Sequence, residues 1–324
     1  MVGAPIAVPD LEELLSRYDV GLLDRYWPAA NGIENTNYFL SLSTPDGCKE
    51  LVLTLLERPA ASGALLVPLL DLCERAGLPV APILRNRAGA SIDRMNGRET
   101  LVSPRLRGRH VLNPTVRQCA AVGRFLARFH SVAAQLVDEA QPYPRGAEWL
   151  QQHADLARGF DPHADHALLA DVVASTTSML QRDDVKALPR GVIHGDLFRD
   201  NVLFTERGLS GVLDFHHASA GYLIYDLAVA ANDWCNDSDG VLDSERTLAL
   251  MRAYHQIRPL TAPETWHFPM FALYAGTAFW LSRLAVALSP ESAHLLRFKN
   301  PDEFKRIVER HATHMFHMDA RMLS

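Results

Sequence analysis

The sequence predicts an α+β chain in two lobes, a small antiparallel sheet with one helix followed by a larger, mainly helical lobe. Three observations carry this. Tyr38 to Leu42 and Leu51 to Leu56 are short, apolar and β-compatible, and Thr44-Pro45-Asp46-Gly47 between them has the chemistry of a hairpin turn. Pro104 pushes Ser103 away from helical geometry, so Ser103 to Gly108 reads as an extended connector. Beyond it Val122, Phe125, Leu126 and Phe129 recur at helical spacing, and most of residues 147–188 and 241–319 favour helix.

In chain order, a short helix over residues 11–18 leads into Tyr26-Trp27, after which Asn31 to Asn37 is rich in turn formers. The hairpin follows. A helix over Leu65 to Arg75 is stopped by Gly77 and Pro79, and strands at Ala90 to Ile92 and Thr100 to Ser103 complete the first sheet. Asn113-Pro114 forms an N-cap and first-turn pair for the helix that opens the second lobe. The expected division is a first lobe over residues 1–103, a hinge over 104–108 and a second lobe over 109–324.

Bulk properties exclude several partners. A chain of 324 residues, 48% apolar and 22% charged, has the make-up of a globular enzyme. A net charge of -6 lacks the cationic footprint of a nucleic-acid binder. Cys48, Cys73, Cys119 and Cys235 are scattered without a C-x-x-C pair, which fits a reducing cytoplasm rather than a disulfide framework or a zinc site. The first residues lack the basic and apolar regions of a signal peptide, and Met270 to Ser282 is shorter than the ~20 residues a bilayer span needs. No membrane partner is expected, and that stretch reads as a core helix.

Chemistry concentrates in His194-Gly195-Asp196-Leu197-Phe198-Arg199-Asp200-Asn201-Val202-Leu203-Phe204, followed by Gly211-Val212-Leu213-Asp214-Phe215. If Asn201 to Phe204 and Gly211 to Asp214 pair as strands about Arg207-Gly208, Asn201 lies opposite Asp214 with Cβ atoms about 5 Å apart. An amide oxygen and a carboxylate there suit Mg²⁺, which is held by few protein groups together with phosphates and water. Asp196 lies five residues before Asn201, the catalytic-loop spacing of kinases, in which the Asp orients an acceptor hydroxyl and the Asn takes a metal. Asp226 comes only twelve positions after Asp214 and no A-P-E sequence follows, so a small-molecule acceptor is expected rather than a protein.

At these residues the sequence resembles the aminoglycoside phosphotransferase and choline kinase superfamily, of protein-kinase-like fold, and within it the homoserine-kinase branch. Further marks are Gly32-Ile33-Glu34-Asn35-Thr36-Asn37-Tyr38-Phe39, Leu51 to Arg58, Tyr225-Asp226-Leu227-Ala228, Asn232-Asp233-Trp234-Cys235 and Phe279-Trp280-Leu281-Ser282-Arg283-Leu284. The resemblance implies transfer of the ATP γ-phosphoryl group to the side-chain hydroxyl of L-homoserine, a step of threonine biosynthesis. Another small acceptor (choline or ethanolamine, methylthioribose, an aminoglycoside) is the alternative, and a nucleotide-binding pseudokinase the last.

The resemblance makes Asp196 the catalytic base or orienter, Asn201 and Asp214 the magnesium ligands, and the Gly32 turn with Asn35 and Thr36 a lid over the phosphates. The connector from Ser103 through Arg105 to Leu106 would meet adenine. Where most of the superfamily carries a phosphate-binding lysine in the third strand, this chain has Thr54, and Lys49, five residues back, points to the opposite face. Homoserine would need a guanidinium for its carboxylate and a carboxylate for its amine. Arg283 and Asp233 beside Trp234 are the candidates, with His216 a candidate substrate contact. Asp237-Ser238-Asp239-Gly240 fails as a calcium loop, because Arg246 stands where Glu is required. His311, His314 and His317 lack the partners of a transition-metal site.

Overall fold

The computed structural model describes residues 6–29, 35–56, 61–160, 165–287, 300–317 and 320–323. The chain divides into two compact units, one of Met1–Arg109 with Leu203–Thr205 and Ser210–His216, the other of the remaining residues.

The first unit is built on five antiparallel strands, β1 (Leu22–Pro28), β2 (Thr36–Thr44), β3 (Gly47–Leu55), β4 (Asp93–Met95) and β5 (Arg98–Pro104), in the order β1-β2-β3-β5-β4. Helices α1 (Val8–Ser16) and α2 (Ala61–Arg75) accompany it. The hairpin forms at the expected turn, with Thr44 opposite Gly47 and Leu40 opposite Leu51. Alternation decides which face is buried: Tyr38, Leu40, Leu42, Leu51 and Leu53 join Leu11, Leu14 and Leu15 of α1 in one core. Each leucine fully buried there contributes about 2 kcal/mol of transfer free energy. Thr54 and Phe39 take the opposite face, where Phe39 packs on Trp27 with ring centroids 5.8 Å apart.

Strand β4 begins at Asp93, three residues after the expected start at Ala90. Asn86 Oδ1 accepts the N–H groups of Ala88 (3.0 Å) and Ala90 (2.9 Å), and this loop captures the backbone that a strand would have used. Ser103 and Pro104 are still strand, Pro104 lying opposite Leu51, so the extended segment begins later than Ser103. Gly108 follows with φ 147°, and a Cβ there would fall 2.5 Å from Ser210 Oγ and 2.9 Å from Leu203 Cβ. That close approach lets Arg109 and Phe204 form an antiparallel bridge, while Val212 bridges Val80.

The second unit is mainly helical: α3 (Val116–Ala133), α4 (Ala147–Phe160), α5 (His166–Gln181), α6 (Asp183–Lys186), α7 (Leu223–Trp234), α8 (Ser244–His255), α9 (Ala262–Ala287) and α10 (Pro301–Thr313). A short antiparallel pair, β6 (Arg190–Ile193) and β9 (Ser219–Tyr222), leads into and out of the loop region. Between them in sequence come β7 (Val202–Thr205) and β8 (Gly208–Val212), a two-stranded sheet most of whose residues belong to the first unit. Helix α3 starts later than Asn113-Pro114 suggests: Thr115 is its cap, in a reciprocal box with Gln118, which satisfies two end N–H groups at once. Its Val122, Phe125, Leu126 and Phe129 are all buried.

Helix α9 is 26 residues long, twice the expected apolar stretch, and by length and composition could cross a membrane. In the fold 67% of its most apolar window is buried, against α4, α5, α7 and α10. An all-round apolar helix enclosed by other helices is core. Helix α7 is buried along nearly its whole length too, and that makes its one early acid, Asp226, conspicuous.

Candidate active site

Strand β6 delivers His194 to a loop organised by that single buried acid. Fully buried Asp226 accepts the His194 N–H at Oδ2 (2.7 Å), the Gly195 N–H at Oδ1 (2.7 Å) and His130 Nε2–H at Oδ2 (2.9 Å). The Tyr254 hydroxyl lies 2.7 Å from His130 Nδ1, so the histidine is a satisfied core residue. Burial pushes the Asp226 carboxyl up, but the His130 hydrogen bond and charge, with His194 and the Gly195 N–H, hold it below the ordinary carboxylate range. Gly195 turns the chain at φ 76°, and a Cβ there would come 3.3 Å from both the His217 carbonyl and the Tyr143 ring.

Asp196, only 7% exposed, follows directly. Its N–H donates to His194 Nδ1 (3.3 Å), and its carbonyl accepts the Phe198 N–H (2.8 Å). Asn201 Nδ2 donates both to the Asp196 carbonyl (2.8 Å) and to its Oδ2 (3.0 Å). With its NH₂ group spent on Asp196, Asn201 offers Oδ1, a hard neutral donor, to a cation. A carboxylate placed beside such a donor can take the proton of an alcohol as it attacks a phosphoryl group.

Asn201 ends the 3-10 turn Arg199–Asn201, and Asp214 lies two residues beyond β8. Neither is a strand residue, which corrects the cross-strand pair expected of them; Asn201 turns back on Asp196 instead. Asp214 is exposed at φ 60°, a left-handed conformation that Asp and Asn tolerate better than most side chains. Among the described residues no group of three or more His, Cys, Asp or Glu could hold a metal by itself. The Asn201 amide oxygen and the Asp214 carboxylate are each donors of the kind a magnesium ion takes alongside phosphate and water.

Downstream, Arg199 latches the loop. Its N–H and Nε donate to Asp233 Oδ2 (2.6 and 3.1 Å), Nη2 to Oδ1 (3.2 Å) and Nη1 to the Leu112 carbonyl (2.6 Å). Trp234, fully buried, donates Nε1–H to the Leu197 carbonyl (3.1 Å). Asp233 and Trp234, expected to touch the acceptor, therefore support the loop from behind. Arg283 is engaged as well: Nη1 donates to Glu303 Oε2 (2.6 Å) and the Asn300 carbonyl (2.9 Å), and its guanidinium lies 4.3 Å over the Phe304 ring. Its work is to tie α9 to α10.

In the first unit Thr54 Oγ1 donates to Asn37 Oδ1 (2.6 Å), a neutral pair where most of the superfamily carries a lysine. Lys49 shares the parity of buried Leu51 and Leu53, so it belongs to the face opposite Thr54, as expected. Thr36 pairs with Leu55, Asn35 precedes β2, and Gly32 lies outside the described residues. Ser103 pairs with Val52. The side chain of Arg105, whose expected part at the nucleotide is a backbone one, is held within the first unit: Nη1 donates to Glu50 Oε1 (3.2 Å) and the guanidinium stacks 4.2 Å over Phe39. His216 is half-buried in the 3-10 turn Phe215–His217.

Asp226, Arg199, Tyr143 and Arg145 were assigned no role from sequence. Asp226 did leave a sign, an acid in a run of apolar residues, since a buried carboxylate requires partners.

The sequence profile of the phosphotransferase enzyme family matches residues 26–266. A homoserine kinase of Pseudomonas aeruginosa is 40% identical over 312 residues, which cover 95% of this chain and 96% of that protein. One of Methylobacillus flagellatus is 37% identical, covering 95% and 94%. Among solved structures, an amicoumacin kinase in complex with AMP-PNP and Ca²⁺ superposes with a TM-score of 0.70 at 15% identity, covering 96% and 99%. A spectinomycin phosphotransferase with ADP gives 0.66 at 14% identity, covering 99% and 97%. The two-lobe α+β fold is thus that of kinase-like phosphotransferases, and the chain itself, matched by profile and by near full-length relatives, belongs to the phosphotransferase enzyme family.

Proposed function

We propose that the chain is an ATP:L-homoserine O-phosphotransferase. The observation that supports it best is the combination of near full-length similarity to homoserine kinases with the Asp196–Asn201 arrangement, which suits a hydroxyl acceptor. In the reaction Asp196 orients the homoserine hydroxyl and takes its proton as the oxygen attacks the γ-phosphorus of ATP, with ADP leaving. Asn201 Oδ1 and Asp214 are the proposed magnesium ligands, and the ion, when bound, neutralises phosphate charge. Thr36 and Asn35 are proposed over the phosphates, and the backbone from Ser103 beside adenine. Thr54 supplies no positive charge. The reaction is placed in the cytoplasm, where ATP is made and the four cysteines stay reduced.

The test is ADP release by the purified chain with ATP and Mg²⁺. It is expected only when L-homoserine is present, and equal or better turnover with choline, an aminoglycoside or methylthioribose overturns the acceptor. Asp196→Asn is expected to lower kcat by about 10²-fold or more with nucleotide affinity retained. Asp214→Ala is expected to abolish magnesium-dependent nucleotide binding in calorimetry.

A further inference from the structure

We infer that a cleft in the second unit, between residues 240–242, the first turn of α8 and the end of α10, is a further binding site, which takes a small carboxylate bearing an α-amino or α-hydroxyl group and a short aliphatic chain. It shares no residue with the catalytic loop, so the inference stands apart from the proposed function.

Two stretches of sequence that the active site does not use meet here. Asp237-Ser238-Asp239-Gly240 binds its own backbone rather than calcium: Asp237 Oδ1 accepts the N–H groups of Asp239 and Val241 (both 2.9 Å). Gly240, at φ 80°, lies so close to α10 that a Cβ would fall 3.1 Å from the Ile307 nitrogen. The loop is thus held against the helix whose end carries Arg310 and His311. Between them is a cleft of about 230 Å³ with Val241, Leu242, Met315 and Phe316 as its apolar walls. At about 30 Å³ per water, that is room for about eight non-hydrogen atoms.

His311 decides what the ligand must offer. It is 2% exposed and lines the cleft, and its Nε2 lies 2.8 Å from Asn232 Oδ1. Asn232 Nδ2 is spent on the Ala272 carbonyl (2.8 Å), so Oδ1 accepts, Nε2 carries the proton and Nδ1 keeps a lone pair. Among the described residues no donor meets that lone pair, and a buried acceptor left so gains from a ligand's N–H or O–H. Arg310 makes the opposite demand. Its Nε donates to the Asp239 carbonyl (3.3 Å), and among the described residues no acid pairs with its guanidinium, so the terminal N–H groups suit a carboxylate. A plain carboxylate satisfies only Arg310 and an amine only His311. An α-amino or α-hydroxy acid satisfies both, and the apolar walls receive its chain. A donor on Nδ1 also polarises the imidazole and strengthens its bond to Asn232. Because Asn232 precedes Asp233, occupancy is felt at the carboxylate that grips Arg199.

The experiment is calorimetry on the whole chain with L-norvaline, L-2-hydroxypentanoate, pentanoate and butan-1-amine. At least one of the first two is expected to bind about tenfold or more tighter than the last two, each of which leaves one partner unmet, and the tighter names the source of the donor. Arg310→Met is expected to remove that advantage. No binding by norvaline or hydroxypentanoate up to about 10 mM overturns the inference, as does equal affinity for all four. An affinity unchanged in Arg310→Met places the ligand elsewhere, the acceptor pocket included, and overturns it too. Should that variant not fold, NMR of the wild-type imidazoles decides: the His311 Nδ1 resonance is expected to move with the tighter ligand and to stay with pentanoate, and a resonance that neither moves overturns the inference.

Discussion

At its upstream end the catalytic loop hangs from Asp226, which is fully buried and binds two backbone N–H groups and an imidazole. At its downstream end it hangs from Asp233, whose side chain is 10% exposed and grips an Arg199 side chain that is 31% exposed. The first attachment is directional and closed to water, so it fixes where Asp196 stands. The second is a charge pair within reach of solvent. It continues to Glu303, 3.9 Å from Arg199, and thence to Arg283, so it couples the loop to α9 and α10. Geometry is set by the dry end and coupling to the helices by the wet one.

Substitutions can break that contrast. Asp226→Ala, which strands two N–H groups and a histidine in the core, is expected to cost about 4 kcal/mol in urea unfolding and to abolish activity. Acidification should act next, and unequally. His311 donates Nε2–H to Asn232, beside Asp233, and burial pushes its imidazole down to about 4. Because the folded value lies below the unfolded one, stability is full above about pH 6.5 and declines by roughly 3 kcal/mol as the pH falls to about 4. Asp226, held low instead, keeps its full contribution above the unfolded carboxylate range and loses it only as the pH falls from there through its own depressed value. The downstream end should therefore loosen first, and urea midpoints from pH 7 to 4.5 should lose this slope in His311→Asn.

Asp233→Ala should cost about 1–2 kcal/mol and, unlike Asp226→Ala, lose part of its effect in high salt. A loss equal to that of Asp226→Ala would dissolve the distinction. Glu303→Gln should cost under about 1 kcal/mol, since its carboxylate is 43% exposed, and a larger loss would mean that the wet end governs geometry too.

The parts of the molecule legible from sequence are those where local pattern and tertiary need coincide. The β2–β3 hairpin was readable because alternation and turn chemistry agree, and the apolar face of α3 because its period is regular. Starts of elements were misplaced where a side chain competes with the backbone, as Asn86 does before β4 and Thr115 with Gln118 before α3. Asp196 and Asn201 could be singled out because their roles lie within five residues. The supports could not. Asp226 meets its loop from some thirty residues downstream, and Asp233 looked like a ligand because only its charge was visible.

The bridge between Arg109 and Phe204, made possible by Gly108, bears on how the protein is born. The sheet-bearing unit borrows its last pieces from residues 203–205 and 210–216, so a ribosome that has released only the first 109 residues has not yet made all of that unit. At about 5–20 residues per second the nascent sheet waits several seconds for its hairpin, with Leu106 and Val80 uncovered meanwhile. A fragment cut at residue 109 would never leave that interval, and chaperone dependence and aggregation are its expected fate.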